Sequence, residues 1–353
     1  MRLSFAPQTV ALLALFAVAC SPSTPHGIQD SKEQSEKNSR IAPGRARPQS
    51  RSRNVTSNMP GPNSMKPGPR LPRSARQQAV GTHESRPGPT QTSPASKSSG
   101  DFLSLASVAV DRDLGDATQS AKSVTYDMQI PPGAPLPPHR PYQIVRRRGP
   151  GHLDVTCSRP TMPKSQLMQR PGRQVPTKLK RFLRPSGMLP FHAPLLQRLA
   201  RQARAGARTN VQTAKNLTWF VFRYIIHKGY SLPAATALDV ARLRRGDCSE
   251  HAVLLAALAR AQGIPARLLS GLVYAGMDRR GHPRFMYHMW TEMHLSGRWI
   301  PFDATRPDPG VGPTHILLAV DSGNDILPVA ATTILSRVLG VMKLRVVRIA
   351  RRK

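Results

Sequence analysis

The chain is built around Gly246-Asp247-Cys248-Ser249-Glu250-His251, which is followed by the apolar run Ala252 to Ala261 and by Gly263-Ile264-Pro265. The run predicts a helix that is hydrophobic on nearly every side and is therefore buried. Cys248 stands in its first turn, where unpaired backbone N–H groups and partial positive charge favour the thiolate over the thiol. Asp247 and Glu250 are expected to cap this helix start rather than to act in chemistry.

Two further stretches supply the side chains that a cysteine nucleophile requires. His288 lies in the strand-like run Phe285 to Glu292, and Asp303 ends the run that begins at Trp299. A cysteine, a histidine and an aspartate on separate elements are the groups needed for nucleophilic catalysis by a thiol. Each also has a structural interpretation: an inert core thiol, a satisfied strand histidine and a turn carboxylate.

Other residues near these stretches have weaker claims to a functional role. His251 lies three residues after Cys248 on the same helix face, but metal binding by this pair lacks two further ligands. Cys157 has no histidine beside it and is not expected to be catalytic. Trp290 and Trp299 are expected to be core or cleft walls, and no metal or other cofactor is predicted.

Composition predicts one folded domain behind a long polar segment. The chain has 353 residues and 35 prolines, and proline, serine and arginine are concentrated in its first half. Residues 20–119 show no sustained period of 2 or 3.6, so we predict a disordered tether, except that Asp101 to Val110 is compatible with a short helix or strand. Residues 120–182 are expected to form an extended or small β segment, 183–320 the catalytic domain, and 321–353 a basic C-terminal strand or tail.

The N-terminus has the pattern of an export signal. Arg2 precedes the apolar stretch Val10 to Ala19, which is too short to span a bilayer, so residues 1–19 are expected to be a signal peptide. Ala17-Val18-Ala19-Cys20 resembles the lipobox of bacterial lipoproteins, which implies lipidation of Cys20 and a membrane anchor. An ordinary cleaved signal is the alternative. Export to the cell envelope is expected in both cases, and Ser21 favours the outer membrane, with the protein facing the periplasm.

The formal net charge of +33 has three interpretations. The simplest is a solvated basic tether. The others are adhesion to an anionic surface, such as lipid head groups or an acidic envelope polymer, and non-specific binding of nucleic acid. Because the sequence has no recognised nucleic-acid module and no interleaving of basic with aromatic residues, no specific nucleic acid is expected as a partner. Three cysteines without CxxC spacing argue against a disulfide framework and against structural zinc.

Helical periodicity precedes strand-like alternation in the second half of the chain. Pro194 to Ala200 and Asn210 to His227 predict helices before Cys248, and Ala266 to Tyr274 predicts a strand after it. Helices first and an antiparallel meander after them predict an α+β fold. Near the C-terminus, Val338 to Ile349 alternates apolar and basic residues, which predicts an edge strand, with an amphipathic membrane-surface element as the alternative.

These motifs, taken in order, resemble a known family. The segments Arg245 to Ala252, Ala259 to Arg267, Gly271 to Tyr274, Tyr287 to Glu292 and Gly297 to Thr305 closely resemble the transglutaminase-like core of the papain-like cysteine protease superfamily. The resemblance covers about residues 183–318. It implies a papain-like α+β core in which helices pack on an antiparallel sheet.

The resemblance also implies roles for the site residues. Cys248 would be the nucleophile, His288 the general base and Asp303 the acid that orients the base. The thiolate would attack an amide carbonyl of a protein or peptide substrate and form a thioester. The backbone N–H of Cys248 is a natural oxyanion donor, and the region around Trp219 is a candidate for the second.

Two questions of function stay open at this level. The thioester could be attacked by water, which gives a peptidase or amidase, or by a lysine, which gives protein-glutamine acyl transfer. A different class of function is a basic cell-envelope binding or adhesion protein that uses the fold as a non-catalytic scaffold.

Overall fold

The computed structural model describes residues 107–163, 175–228, 235–307, 310–325, 329–338 and 340–351. The predicted signal peptide, the predicted lipidation site Cys20 and the tether up to residue 106 lie outside these ranges. Among the described residues, no helix combines the length and the apolar character that crossing a membrane requires.

The described part of the chain contains both helices and strands. The helices are α1 (Ala117–Ser120), α2 (Pro194–Arg204), α3 (Asn210–Tyr224), α4 (Ala237–Leu243), α5 (Cys248–Ala261) and α6 (Val329–Val338), with a 3-10 helix at Thr177–Leu183. The strands are β1 (Ser107–Ala109), β2 (Ala121–Gln129), β3 (Gln143–Gly149), β4 (His152–Ser158), β5 (His227–Lys228), β6 (Arg245–Gly246), β7 (Ala266–Met277), β8 (Pro283–Leu295), β9 (Arg298–Phe302), β10 (His315–Asp321) and β11 (Lys343–Arg351).

A five-stranded central sheet carries the predicted His288 strand. Its order is β1-β8-β7-β10, and β9 pairs with β8. All neighbours are antiparallel. Helix α5 packs against β8 and β7, and α2, α3 and α4 pack around α5. The predicted α+β architecture, with helices on an antiparallel sheet, is therefore confirmed.

Helix α5 is buried on nearly every side, as its sequence predicts. Leu254, Leu255 and Leu258 are fully buried in a core shared with α2, α3 and β8. Burial of each such side chain contributes about 1.5–3 kcal/mol. The helix stops at Gly263, whose φ of 71° is in the left-handed region that glycine adopts at little cost.

A second, outer sheet has the order β11-β2-β4-β3 and is antiparallel throughout. Residues 120–182 are rich in proline, which is unfavourable inside strands. These prolines fall between β2 and β3, in the β3–β4 turn and after β4, so the strands are not interrupted. The predicted tether boundary at residue 119 is wrong. Residues 107–119 already contain β1 and most of α1, because Val108, Val110 and Leu114 bury their side chains between the sheets.

Side chains join the outer sheet to the central sheet. The rings of Tyr126 and Phe285 meet edge to face at 5.6 Å, and the Tyr126 hydroxyl donates to the carbonyl of Pro313. The Gln143 amide exchanges two hydrogen bonds with the main chain of Leu317 in β10. These contacts fix the position of β10, whose first residue is His315.

Candidate active site

The candidate site lies at a break in the pairing of β8. On one edge, β8 pairs with β1 through Met286 and with β9 from Thr291 onward. Between them, residues 287–290 have no strand partner on that edge among the described residues. His288 lies in this interval, and Asp303 directly follows Phe302, the β9 residue that pairs with Thr291. The two predicted residues are thus brought to one place by strand register.

Cys248 is the first residue of α5 and is 1% exposed. The helix start is fixed by a capping box in which Asp247 accepts from Ser249 and Glu250 accepts from the Asp247 N–H. A Cβ at Gly246 would collide with the Glu250 side chain, which explains the glycine. The first turns of α5 are also tied to β8, because the Thr291 hydroxyl donates to the Ala252 carbonyl at 2.9 Å.

His288 and Asp303 form a buried hydrogen-bonded pair. The Nε2 atom of His288 lies 2.9 Å from Oδ2 of Asp303, and their side chains are 7% and 0% exposed. A carboxylate only accepts, so Nε2 carries the proton and donates it. When the ring is neutral, Nδ1 is then its basic nitrogen. This is the tautomer that a general base oriented by a carboxylate requires.

Asp303 receives four hydrogen bonds on its two oxygens. Oδ2 accepts from His288 and from Nε2 of His315, at 3.3 Å, and Oδ1 accepts from the backbone N–H and the hydroxyl of Thr305. Burial alone would raise the pKa of Asp303, but the nearby charge of His288 and the histidine hydrogen bonds hold that pKa well below its usual range. The carboxylate therefore stays ionised.

His315 is a site residue that the sequence did not reveal. It is buried at the start of β10, 12 residues after Asp303, and its Nδ1 accepts the N–H of Gly312 at 3.3 Å. Nε2 must then carry the proton that it donates to Asp303. Burial lowers the pKa of His315 despite the neighbouring carboxylate, so the ring stays neutral. A histidine at the head of an apolar run is an ordinary strand residue in sequence, which is why no signal identified it.

The cluster of His288, Asp303 and His315 could also be considered as a metal site, since one ligand atom from each lies within 4.8 Å of the others. A metal-binding imidazole nitrogen must be unprotonated. The Gly312 N–H fixes the proton of His315 on Nε2, the nitrogen that faces Asp303. The arrangement therefore fits a hydrogen-bonded cluster better than a metal centre.

Trp290 packs against both histidines, whose own rings meet edge to face at 6.2 Å. Its ring stacks on His288 at 5.9 Å and meets His315 edge to face at 5.5 Å. Gly271 pairs with His288 in the sheet, and a Cβ there would lie 2.8 Å from Cη2 of Trp290 and would collide with the Ile316 carbonyl. The glycine therefore leaves room for the indole, and the predicted role of Trp290 as a wall agrees with its position.

The cap of α5 holds a second group of buried titratable residues. Burial, and then the neighbouring Glu250 carboxylate, raise the pKa of Asp247 to about 8. Nδ1 of His251 lies 2.5 Å from the Asp247 carbonyl, and burial lowers the pKa of His251 to about 4. His251 is therefore neutral at neutral pH.

Two other residues singled out in the sequence differ in burial. Trp219, proposed near the second oxyanion donor, is 43% exposed on α3 and stacks on Phe222. Cys157 is buried in β4, where burial raises its thiol pKa and its Sγ donates to Gln143. Burial and a raised pKa both disfavour the thiolate, the reactive form of a cysteine.

Comparison with known proteins identifies the segment that contains this site. Residues 197–304 match the family model of the transglutaminase-like superfamily. This part of the chain is a transglutaminase-like domain. The match includes Cys248, His288 and Asp303 and ends before His315. No curated protein matches the chain.

Several solved structures are similar to the chain at a distance. A proposed cysteine protease from Cytophaga hutchinsonii is 18% identical, with 63% of this chain and 84% of that chain covered and a TM-score of 0.40. The periplasmic domain of TgpA from Pseudomonas aeruginosa is 22% identical, with 54% and 75% covered and a TM-score of 0.36. Red sea bream transglutaminase is 10% identical, with 54% and 48% covered and a TM-score of 0.30.

Proposed function

We propose that this protein is a transglutaminase-like cysteine enzyme that acts on amide or peptide bonds through Cys248, His288 and Asp303. The observation that carries the proposal is the buried His288–Asp303 pair, placed at the unpaired interval of β8 against the helix that starts at Cys248. A histidine that served only to fill a strand position would not need a carboxylate saturated by four donors.

The chemistry follows from the proton positions. Nδ1 of His288 takes the proton of the Cys248 thiol, and the helix start favours the thiolate. The thiolate attacks the amide carbonyl carbon, and the backbone N–H of Cys248 donates to the developing oxyanion. The imidazolium then returns its proton to the leaving amine, which departs as the thioester forms. Asp303 remains ionised throughout and stabilises the imidazolium.

The second half-reaction restores the thiol. Water or an amine attacks the thioester while His288 accepts its proton, and the sulfur leaves as thiolate. Hydrolysis and acyl transfer differ only in this acceptor, so the proposal covers both.

From the sequence pattern at residues 1–20 we further propose that the enzyme is exported and anchored to a membrane through Cys20. The anchor would lie in the outer membrane, with the protein facing the periplasm. We also propose that the basic tether contacts an anionic envelope polymer.

The test is the rate of alkylation of Cys248 by iodoacetamide as a function of pH, in reduced full-length protein, read by mass spectrometry at each cysteine. We expect Cys248 to react well below the ordinary thiol pKa of about 8.5. His288→Ala should slow the reaction at pH 6 at least tenfold. His282→Ala, which removes an exposed histidine, is the matched control and should change nothing.

A thiol that reacts only near pH ~8.5, and equally in both variants, would contradict the proposal and favour the non-catalytic scaffold. If the thiol is activated, incubation with a panel of peptide amides should give a Cys248 acyl adduct in the wild type. That adduct should be absent from Cys248→Ala.

A further inference from the structure

A cavity of about 890 Å³ lies between the central and the outer sheet. The outer sheet contributes Lys122 and Ser158 to its lining, and the central sheet contributes Arg298 and Trp299. A volume of this size falls within the usual range for small-molecule and peptide sites, about 300–1,000 Å³. None of the residues considered so far for catalysis lines it, so the cavity is separate from the candidate triad.

The lining of this cavity is strongly and one-sidedly charged. Its titratable residues are Lys122, His139, Arg140, Tyr142, Arg159, Arg267 and Arg298, and no aspartate or glutamate lines it. Within the described ranges, no carboxylate lies within ion-pair distance of Lys122, Arg140 or Arg298. Cationic walls without counter-charges attract an anionic ligand and concentrate it at the opening.

The carboxylate of Glu292 lies behind the cavity wall, and both of its oxygens already accept hydrogen bonds. Oε2 of Glu292 accepts from Nε of Arg267 at 2.7 Å, and Oε1 accepts from the Tyr142 hydroxyl at 2.7 Å. Glu292 is fully buried, and the Arg267 guanidinium also lies 3.9 Å over the Trp299 ring. This cluster holds Tyr142 and Trp299 in the cavity wall and leaves Lys122, Arg140 and Arg298 without a carboxylate partner among the described residues.

Arg140 provides an independent sign of a missing acceptor. One of its terminal nitrogens donates to the His139 carbonyl, but its Nε is buried and has no hydrogen-bond partner among the described residues. A buried donor without an acceptor costs about 1–3 kcal/mol. The guanidinium of Arg140 also lines the cavity, and a guanidinium can bind a carboxylate through two parallel hydrogen bonds.

We propose that this cavity binds the carboxylate of an acidic peptide. His288, Trp290 and Glu292 alternate along β8 and therefore share one face of the sheet. The four residue steps from His288 to Glu292 span about 13 Å at about 3.3 Å per step, a distance that about four extended residues of a bound peptide also cover. On the proposed function, the cavity thus selects acyl substrates that carry an acidic residue a few positions from the reacting amide.

Binding is tested by fluorescence anisotropy of a labelled tri-glutamate peptide, with tri-glutamine as the neutral probe, on full-length protein near physiological salt. Arg140→Gln with Arg298→Gln should weaken tri-glutamate binding at least tenfold. The matched control is Arg201→Gln with Arg208→Gln, which removes the same charge from exposed positions of α2 and the α2–α3 loop. We expect this control to weaken binding less than twofold.

Three results would overturn the assignment: equal weakening in both double variants, equal binding of tri-glutamine, or no saturable binding of tri-glutamate. Full displacement by inorganic phosphate at the peptide's own affinity would also overturn it, because the site would then be a general anion site. Cys248→Ala should bind tri-glutamate as the wild type does. Binding with an unreactive Cys248 would therefore refute the proposed function while leaving the cavity assignment intact.

Steady-state kinetics distinguish a carboxylate that belongs to the substrate from a free carboxylate ligand. If the ligand is part of the substrate, the cavity variant should raise KM for acyl transfer from glutamate-containing peptides at least tenfold and leave kcat within twofold. Competition by free glutarate without any such change in KM would assign the cavity to a free carboxylate ligand and would overturn the substrate role.

Discussion

Two buried aspartates respond to burial in opposite ways. Asp303 has its pKa held well below the usual range, because two histidines and Thr305 supply four donors. Asp247 has its pKa raised to about 8, because burial is reinforced by the Glu250 carboxylate and only Ser249 donates to it. The difference shows that partners, rather than depth, decide whether a buried carboxyl is charged. Asp303 can therefore stabilise an imidazolium, whereas Asp247 can only cap a helix.

The largest effect should come from removing the charge of Asp303 while keeping its shape. Asp303→Asn leaves the imidazolium of His288 without its counter-charge, so the thiolate is lost. At pH 6 only about one in 300 thiols of ordinary pKa, near 8.5, is present as thiolate. The alkylation rate of Cys248 can therefore fall by as much as about 300-fold. We expect a fall of at least tenfold. Asp247→Asn is the matched control and should change the rate less than twofold.

The next effect concerns the histidine beside Asp247. His251 has a folded pKa of about 4 against an ordinary value of 6.5, so the unfolded chain binds the extra proton between these pH values and stability is lost as pH falls through this window. Relative to His251→Asn, which keeps a donor for the Asp247 carbonyl, the wild type should lose about 3 kcal/mol between pH 7 and pH 4. Urea unfolding across this range measures it. Parallel curves for the two proteins would show that His251 does not titrate with the fold.

A smaller effect is expected from the second histidine on Asp303. His315→Phe keeps a ring against Trp290 but removes the donor to Oδ2, and should lower the alkylation rate of Cys248 at pH 6 about threefold to tenfold. His315→Gln can still donate to Asp303 and should recover most of that loss. Equal losses in both variants would reduce His315 to a packing role.

The smallest effect is expected at the helix cap. Asp247→Asn keeps an acceptor for the Ser249 N–H, whereas Asp247→Ala removes it, and neither variant titrates at this position. The alanine variant should therefore be less stable than the asparagine variant by about 1 kcal/mol. Urea unfolding at pH 7 measures the difference. Equal stability of the two variants would mean that this hydrogen bond does not stabilise α5.

Much of the architecture was predictable because its signals are local. The periodicity of α2, α3 and α5, and the capping residues Asp247 and Glu250, are readable within one or two turns of chain. The boundary at residue 119 was predicted wrongly because Val108, Val110 and Leu114 gain their stability from residues far away in sequence. The sheet at 120–158 was left open for the same reason, since its strands are completed by β11, near the end of the chain.

The sequence by itself determined the identity of the candidate nucleophile, base and acid, since residue type, order and flanking elements sufficed to select Cys248, His288 and Asp303. The tertiary structure alone decided that His315 donates to Asp303, that Asp303 is ionised while Asp247 is not, and that five cationic side chains face one cavity. The physical reason is that charge state and hydrogen-bond partnership depend on groups brought within a few ångströms by strand register. Such groups lie far apart along the chain, where no local pattern records them.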